Sequence, residues 1–302
     1  MAAILYTLLF VMGGAAIIRT QLPGKSPLVR AFLGLALGLL LEMQLPALCA
    51  NIFGFTLKAH YVAAVILLAL AGVSFLLRDA HEAKKFSYED RKLLCMMIVI
   101  VLPLTVLSGY LQHTHMVMEA ADGSYWCGQS TYGDLCMHLS FITSMQNMEF
   151  PPAYNLLYGT ALNYPYLADS LSTTMLLLGM DIQMALVFPG TLLMALTYIG
   201  YMLLAHQVLG GRHKAVAAAA LLFFFNGGLG FLYDFDMIAE QALCAAQWND
   251  DCATVQVFDT QIHQCRDAHA FCDAAGVDGE PIPGAHSQIG RQFLANHGVA
   301  RL

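Results

Sequence analysis

The sequence predicts an all-α fold: a polytopic helical membrane protein with about six transmembrane helices and interface helices in one long exterior loop. Three observations carry this. Only 12% of the 302 residues are charged, about half the usual share of roughly 25% in a soluble domain. The mean hydropathy is +0.60. Several apolar runs approach the roughly 20 residues a helix needs to cross a bilayer, and Lys and Arg alternate between the loops that join them. With a formal net charge of -7 there is no basic face for nucleic acid, so no nucleic-acid partner is expected.

Taken in order, the predicted spans are 2–18, 31–53, 60–77, 93–109, 182–208 and 215–233. The first lacks the basic n-region and cleavage site of a signal peptide, so it is read as a span. Residues 1–233 then form the transmembrane domain, and 234–302 a polar, Cys-containing tail.

Orientation follows from the basic residues, which favour cytoplasmic loops. The first loop holds Arg19, Lys25 and Arg30; the second only Lys58; the third Arg78, Lys84, Lys85, Arg91 and Lys92. The fourth, 110–181, holds none, and the fifth carries Arg212 and Lys214. The alternation places the N-terminus and residues 110–181 outside, in a protein expected in a plasma membrane.

The exterior loop is aromatic, with Trp126, Tyr154, Tyr164 and Tyr166 among its residues. Such a composition suits helices at the membrane boundary. In "GDLCMHLSFITSMQ", Leu135, His138, Leu139 and Ile142 recur at helical spacing. Asp134 stands in its first turn, where a carboxylate suits the exposed N–H groups and the helix dipole. His138 is four residues on, on the same face. The prolines of "EFPPAYN" break that helix, and "YPYLADSLSTTMLLLGM" starts another, with Asp169 or Ser170 as its cap.

"GDLCMHLSFITSM", "FPPAYNLLYGTALNYPYLADSLS" and "FFFNGGLGFLYD" resemble the first exterior loop and a following helix of bacterial type-C glycosyltransferases, in the many-spanning branch with extra N-terminal helices. The resemblance covers about 93–234. It implies transfer of a sugar from a polyprenyl-phosphate donor to an acceptor hydroxyl on the exterior face, with inversion at the anomeric centre. The family's catalytic acid matches Asp134, which would take the acceptor's proton as the bond to phosphate breaks. A lipid-linked sugar donor and membrane lipids are the implied partners.

Substrate-binding candidates are His138, Glu149, Tyr164, Tyr166 and Asp169. Each has a plainer alternative: a histidine at the edge of a packed face, a helix cap, an interface aromatic. Glu42, near the middle of the second span, is a candidate intramembrane polar site, because a carboxylate at that depth is costly unless partnered. Gly34 and Gly38 form a GxxxG pair that permits close helix contact. His113 and His115, two residues apart, make a poor ligand pair, and no metal site is predicted. No motif demands a cofactor; a divalent cation at the donor phosphate is left open. There is no Gly-x-Ser-x-Gly elbow or Walker loop.

Cys127 and Cys136 fall outside on this topology, as do four Cys of the tail, and exterior cysteines can pair. The tail holds ten acids and no run that could span. It is expected to be the out-of-frame end of a truncated product, inactive alone; the alternative is a genuine exterior tail. A second function class stands beside the transferase: a non-enzymatic membrane protein that binds or transports a lipid-linked substrate.

Overall fold

The computed structural model describes residues 1–78, 83–120, 123–127, 132–157 and 159–225. Tyr158, the glycines after Phe225, and the whole tail with its four cysteines lie outside the described residues. Eight helices and one hairpin are described: α1 Ala2–Gln21, α2 Pro27–Phe53, α3 Leu57–Leu76, α4 Tyr88–His115, β1 Val117–Glu119, β2 Tyr125–Cys127, α5 Tyr132–Ser144, α6 Leu167–Leu177, α7 Ile182–Val208 and α8 His213–Phe224. Five of them (α1, α2, α3, α4 and α7) are long and apolar enough to cross a membrane. The protein is an all-α polytopic membrane protein, as the composition predicts. Of the sixth predicted span, the described part is α8, a helix of 12 residues.

The helix starts are written locally. Ser26 accepts from the Val29 N–H ahead of Pro27, which suits the first helical position. Ser87 and Asp90 form a reciprocal capping box, which begins α4 five residues before the predicted Leu93. Asp181 accepts from the Met184 N–H at 2.8 Å to start α7.

Two groups of helices result. In the first, α1, α2 and α3 bury Phe10, Leu45, Ala59, Ala63 and Leu67. The backbones of α1 and α2 touch: a Cβ on Gly14 would stand 2.5 Å from Gly34 O, and one on Gly38 2.6 Å from Val11 Cα. The GxxxG spacing is thus used inside the chain. In the second group α4, α7 and α8 bury Met97, Val101, Tyr198, Met202 and Val216. Outward-facing Leu5, Met12, Leu48, Val65, Val99 and Val106 are exposed. A surface of that kind is what lipid requires.

The polar segment 110–181 departs from its predicted form in three ways. Its start is an antiparallel hairpin, with Val117 opposite Cys127. Helix α5 ends at Ser144, and Asn147 takes φ 58° before Pro151 is reached; Asn is one of the few residues that adopt this conformation readily. Helix α6 is a buried plug against α2, α5 and α7, not a helix lying on the surface. Its polar residues tolerate this because their hydroxyls find acceptors: Ser170 donates to Leu167 O, Thr173 to Ile142 O and Asp169 O, and Thr174 to Ser170 O.

The loops sort to two ends. Thr20 bonds Ser74, and Arg30 donates to Lys84 O, so the first and third loops meet. His213 of the fifth loop lies 3.8 Å from Glu89 at the start of α4. At the other end, Phe55 N donates to Met148 O, and Ala3 packs with Leu171 and Met175. The hairpin, α5 and α6 are there.

Candidate functional site

The site is assembled where α5 crosses α6. Leu135, Leu139 and Ile142 bury one stripe of α5 against Val117, Cys127 and Leu186. That fixes the helix about its axis. The Thr173 hydroxyl donates to Ile142 O at 3.0 Å and ties the end of α5 to α6. One turn earlier on α6, Asp169 is buried, and both of its carboxylate oxygens lie 3.0 Å from His138 Nδ1. The side chain that the sequence offered as a cap is spent on this histidine, and α6 begins without a side-chain cap.

The pair has a defined chemistry. A carboxylate on Nδ1 favours the tautomer with its proton there, which leaves Nε2 with a lone pair. Burial pushes the Asp169 carboxyl above its ordinary value, and His138 beside it pulls back in the opposite direction. His138 is half-buried, so its ring is reachable. Tyr164 stands edge-on to it at 5.5 Å between centroids, and Phe141 lies beneath both at 6.3 and 5.7 Å. Asp134 occupies the first turn of α5, one turn before His138, exposed and with no hydrogen-bond partner among the described residues.

So the structure gathers His138, Asp169 and Tyr164, with Asp134 on the preceding turn. It separates the rest. Tyr166 belongs to the layer underneath, packed edge-on to Phe150 and against Phe141, Met145 and Leu162. Glu149 is exposed, and among the described residues no hydrogen bond or ion pair joins it to His138 or Asp169. Glu42 is on α2, fully buried, and takes a 2.8 Å bond from the Thr7 hydroxyl on α1. Its Oε2 has no partner. Cys127 and Cys136 sit with sulfurs 3.9 Å apart, as free thiols.

Sequence reading missed two partnerships. It gave Glu42 no partner, although Thr7 and Tyr6 are the hydroxyls of an otherwise apolar first span. It treated His138 and Asp169 separately. The available signal was that each falls in a helix with an apolar stripe, and two such helices in one loop pack on each other. No three or more His, Cys, Asp or Glu side chains among the described residues could hold a metal ion. In comparison with known proteins, the chain matches no family model, no curated protein and no solved structure.

Proposed function

We propose that this protein is a glycosyltransferase-like membrane protein that takes a sugar from a polyprenyl-phosphate donor and passes it to an acceptor hydroxyl at the exterior membrane boundary. The observation that supports it is the His138–Asp169 pair, with two 3.0 Å contacts, at the end of the molecule where α5 and α6 meet. A hydroxyl is a poor nucleophile at neutral pH and needs a base within reach. Histidine Nε2, with Nδ1 held by a carboxylate, has the lone pair for that task. Asp134, on the same face, accepts a hydrogen bond from the acceptor and fixes its approach. The acceptor proton goes to the base, its oxygen bonds to the anomeric carbon, and the carbon–oxygen bond to phosphate breaks. Tyr164 offers a ring against which a sugar can lie. Among the described residues no three or more His, Cys, Asp or Glu side chains come together to hold a divalent cation.

The test uses the full chain in bilayers, with a panel of polyprenyl-phosphate hexoses and a labelled acceptor. Wild type should transfer sugar. His138→Ala should lose about 10²-fold or more, the usual share of a general base. Asp134→Asn should lose less. If His138→Ala transfers as well as wild type, the pair is not the base. If no donor in the panel is used, the transferase reading is lost.

One observation favours a second reading, the binding or transport of a lipid-linked substrate without chemistry. It is the unpartnered Glu42 Oε2 inside the three-helix group. Glu42→Gln should then abolish uptake of the lipid while leaving the His138 variants silent.

A further inference from the structure

At the end of the molecule opposite to α5 and α6, the ends of α1 and α3 border an open cleft of about 390 Å³. That is in the range of a small-molecule site, about 300–1,000 Å³. It is lined by Ala16, Arg19, Thr20, Pro23, Phe75 and Arg78, with Ala83 at its edge. Its walls are tied together. The Thr20 and Ser74 hydroxyls share a hydrogen bond, Gln21 donates to Ser74 O, and Lys84 N donates to Pro23 O.

Two guanidinium groups, those of Arg19 and Arg78, line this cleft. Elsewhere at this end Arg30 donates to Lys84 O, Arg212 to Leu209 O, and Lys92 pairs with Glu89. Arg19 and Arg78 make no hydrogen bond and no ion pair among the described residues. The Arg78 guanidinium lies over the Phe75 ring, 4.5 Å from its centre. Planar guanidinium forks match a phosphate's oxygens in pairs.

We propose that this cleft binds the phosphate headgroup of an anionic membrane phospholipid, clamped between Arg19 and Arg78. Two features select a lipid over a free phosphate. The cleft opens at the ends of two apolar helices, α1 finishing at Gln21 and α3 at Leu76. Apolar surface continues from it: Met12 precedes Ala16 by one turn and is 70% exposed, and Leu68, two turns before Phe75, is 56% exposed. Acyl chains have a place to lie below the headgroup. The alternation of basic residues puts this end in the cytoplasmic leaflet, where anionic lipids concentrate.

The experiment titrates phosphatidylglycerol into the full chain held in phosphatidylcholine nanodiscs and reads bound lipid by native mass spectrometry. Saturable binding that weakens with salt is expected. Arg19→Gln with Arg78→Gln should weaken it about 25-fold, at roughly fivefold for each basic group near the surface. Lys214→Gln, which removes a charge from the same end but lines no part of the cleft, should leave it unchanged. Ala16→Trp, on an exposed position, should block binding with both charges intact, and it decides the matter if the double variant fails to fold. Equal binding of phosphatidylcholine, wild-type affinity in the double variant or in Ala16→Trp, or an equal loss in Lys214→Gln would each overturn the proposal. Displacement by millimolar inorganic phosphate would overturn the lipid as its source.

Discussion

The two ends of this molecule are built on opposite principles. The end holding α5 and α6 is nearly free of basic residues: 110–181 has no Lys or Arg, and the second loop adds only Lys58. Asp134 and Glu149 are exposed there, but Asp169 is buried against His138 and Ser170, Thr173 and Thr174 of α6 are buried with their hydroxyls bonded. Its surfaces are made by aromatic contacts, with Phe55 stacked on Phe150 at 5.5 Å and Phe150 against Tyr166. The opposite end gathers Arg19 in the last turn of α1, Arg30 in the first turn of α2, and Lys25, Arg78 and Lys84 in the loops, and its Lys92–Glu89 pair reaches water. Buried pairs fix geometry and are costly to break; exposed charges create a field and are individually cheap. The first end is suited to positioning a reacting group, the second to attracting an anion. Single substitutions should therefore cost far more at the first end than at the second.

The largest effect should come from the support that both ends share. Gly38→Val places a branched side chain where a Cβ already meets Val11 Cα at 2.6 Å and Phe10 O at 2.7 Å. Backbone cannot move aside as a flexible side chain can. Overpacking of this kind costs about 1–3 kcal/mol or more, and both ends should lose order together in thermal unfolding. Unfolding of one end alone would mean that the α1–α2 contact does not couple them.

Asp169 comes next and acts at its own end only. Asp169→Ala removes the buried carboxylate that accepts from the half-buried His138 ring, a charge-assisted bond worth about 1.5–3 kcal/mol. Asp169→Asn keeps an acceptor oxygen and should cost less. The pH dependence has a sign. Burial raises the folded-state pKa of Asp169 above its ordinary value, so the folded state holds this proton more tightly than the unfolded one. Its contribution to stability is complete below the ordinary carboxylate range and is lost as pH rises through the raised value. Asp169→Asn should flatten that part of the stability–pH curve, measured by thermal unfolding in detergent. An unchanged curve would show that Asp169 does not titrate differently on folding.

How much of this was legible beforehand differs between the ends for the same physical reason. Spans are written in composition, since a helix facing lipid must be apolar over its whole length. The five long helices and the clustering of basic residues were accordingly readable in order. The α5–α6 site depends on tertiary contact. His138 and Asp169 are 31 residues apart, and nothing local separates an aspartate that caps a helix from one that leans on a histidine. The hairpin was hidden for a related reason. Val117–Glu119 and Tyr125–Cys127 are three residues each, too short for a period of two to register. The burial of α6 could not be inferred from its serines and threonines, which look solvent-facing until their hydroxyls are seen to bond within the backbone.

The smallest predicted effect tests the comparison hardest. Lys92 and Glu89 pair at 3.2 Å with side chains 47% and 60% exposed. In water-exposed pairs the Coulomb gain is screened, and holding two long side chains in place costs entropy, so the net value is about 0–1 kcal/mol. Lys92→Ala should change stability by less than about 0.5 kcal/mol, although the contact is nearly as short as that between His138 and Asp169. Distance alone would rank the two interactions as near equals; burial separates them. Glu89 supplies a control within the same end, because it also stands 3.8 Å from His213, whose Nε2 is buried without a hydrogen bond. Glu89→Ala should therefore cost more than Lys92→Ala, though less than Asp169→Ala. If Lys92→Ala matched Asp169→Ala instead, the basic end would be as tightly organised as the end that holds the candidate site. Its arginines would then be read as structural parts of the fold before they were read as a surface for anions.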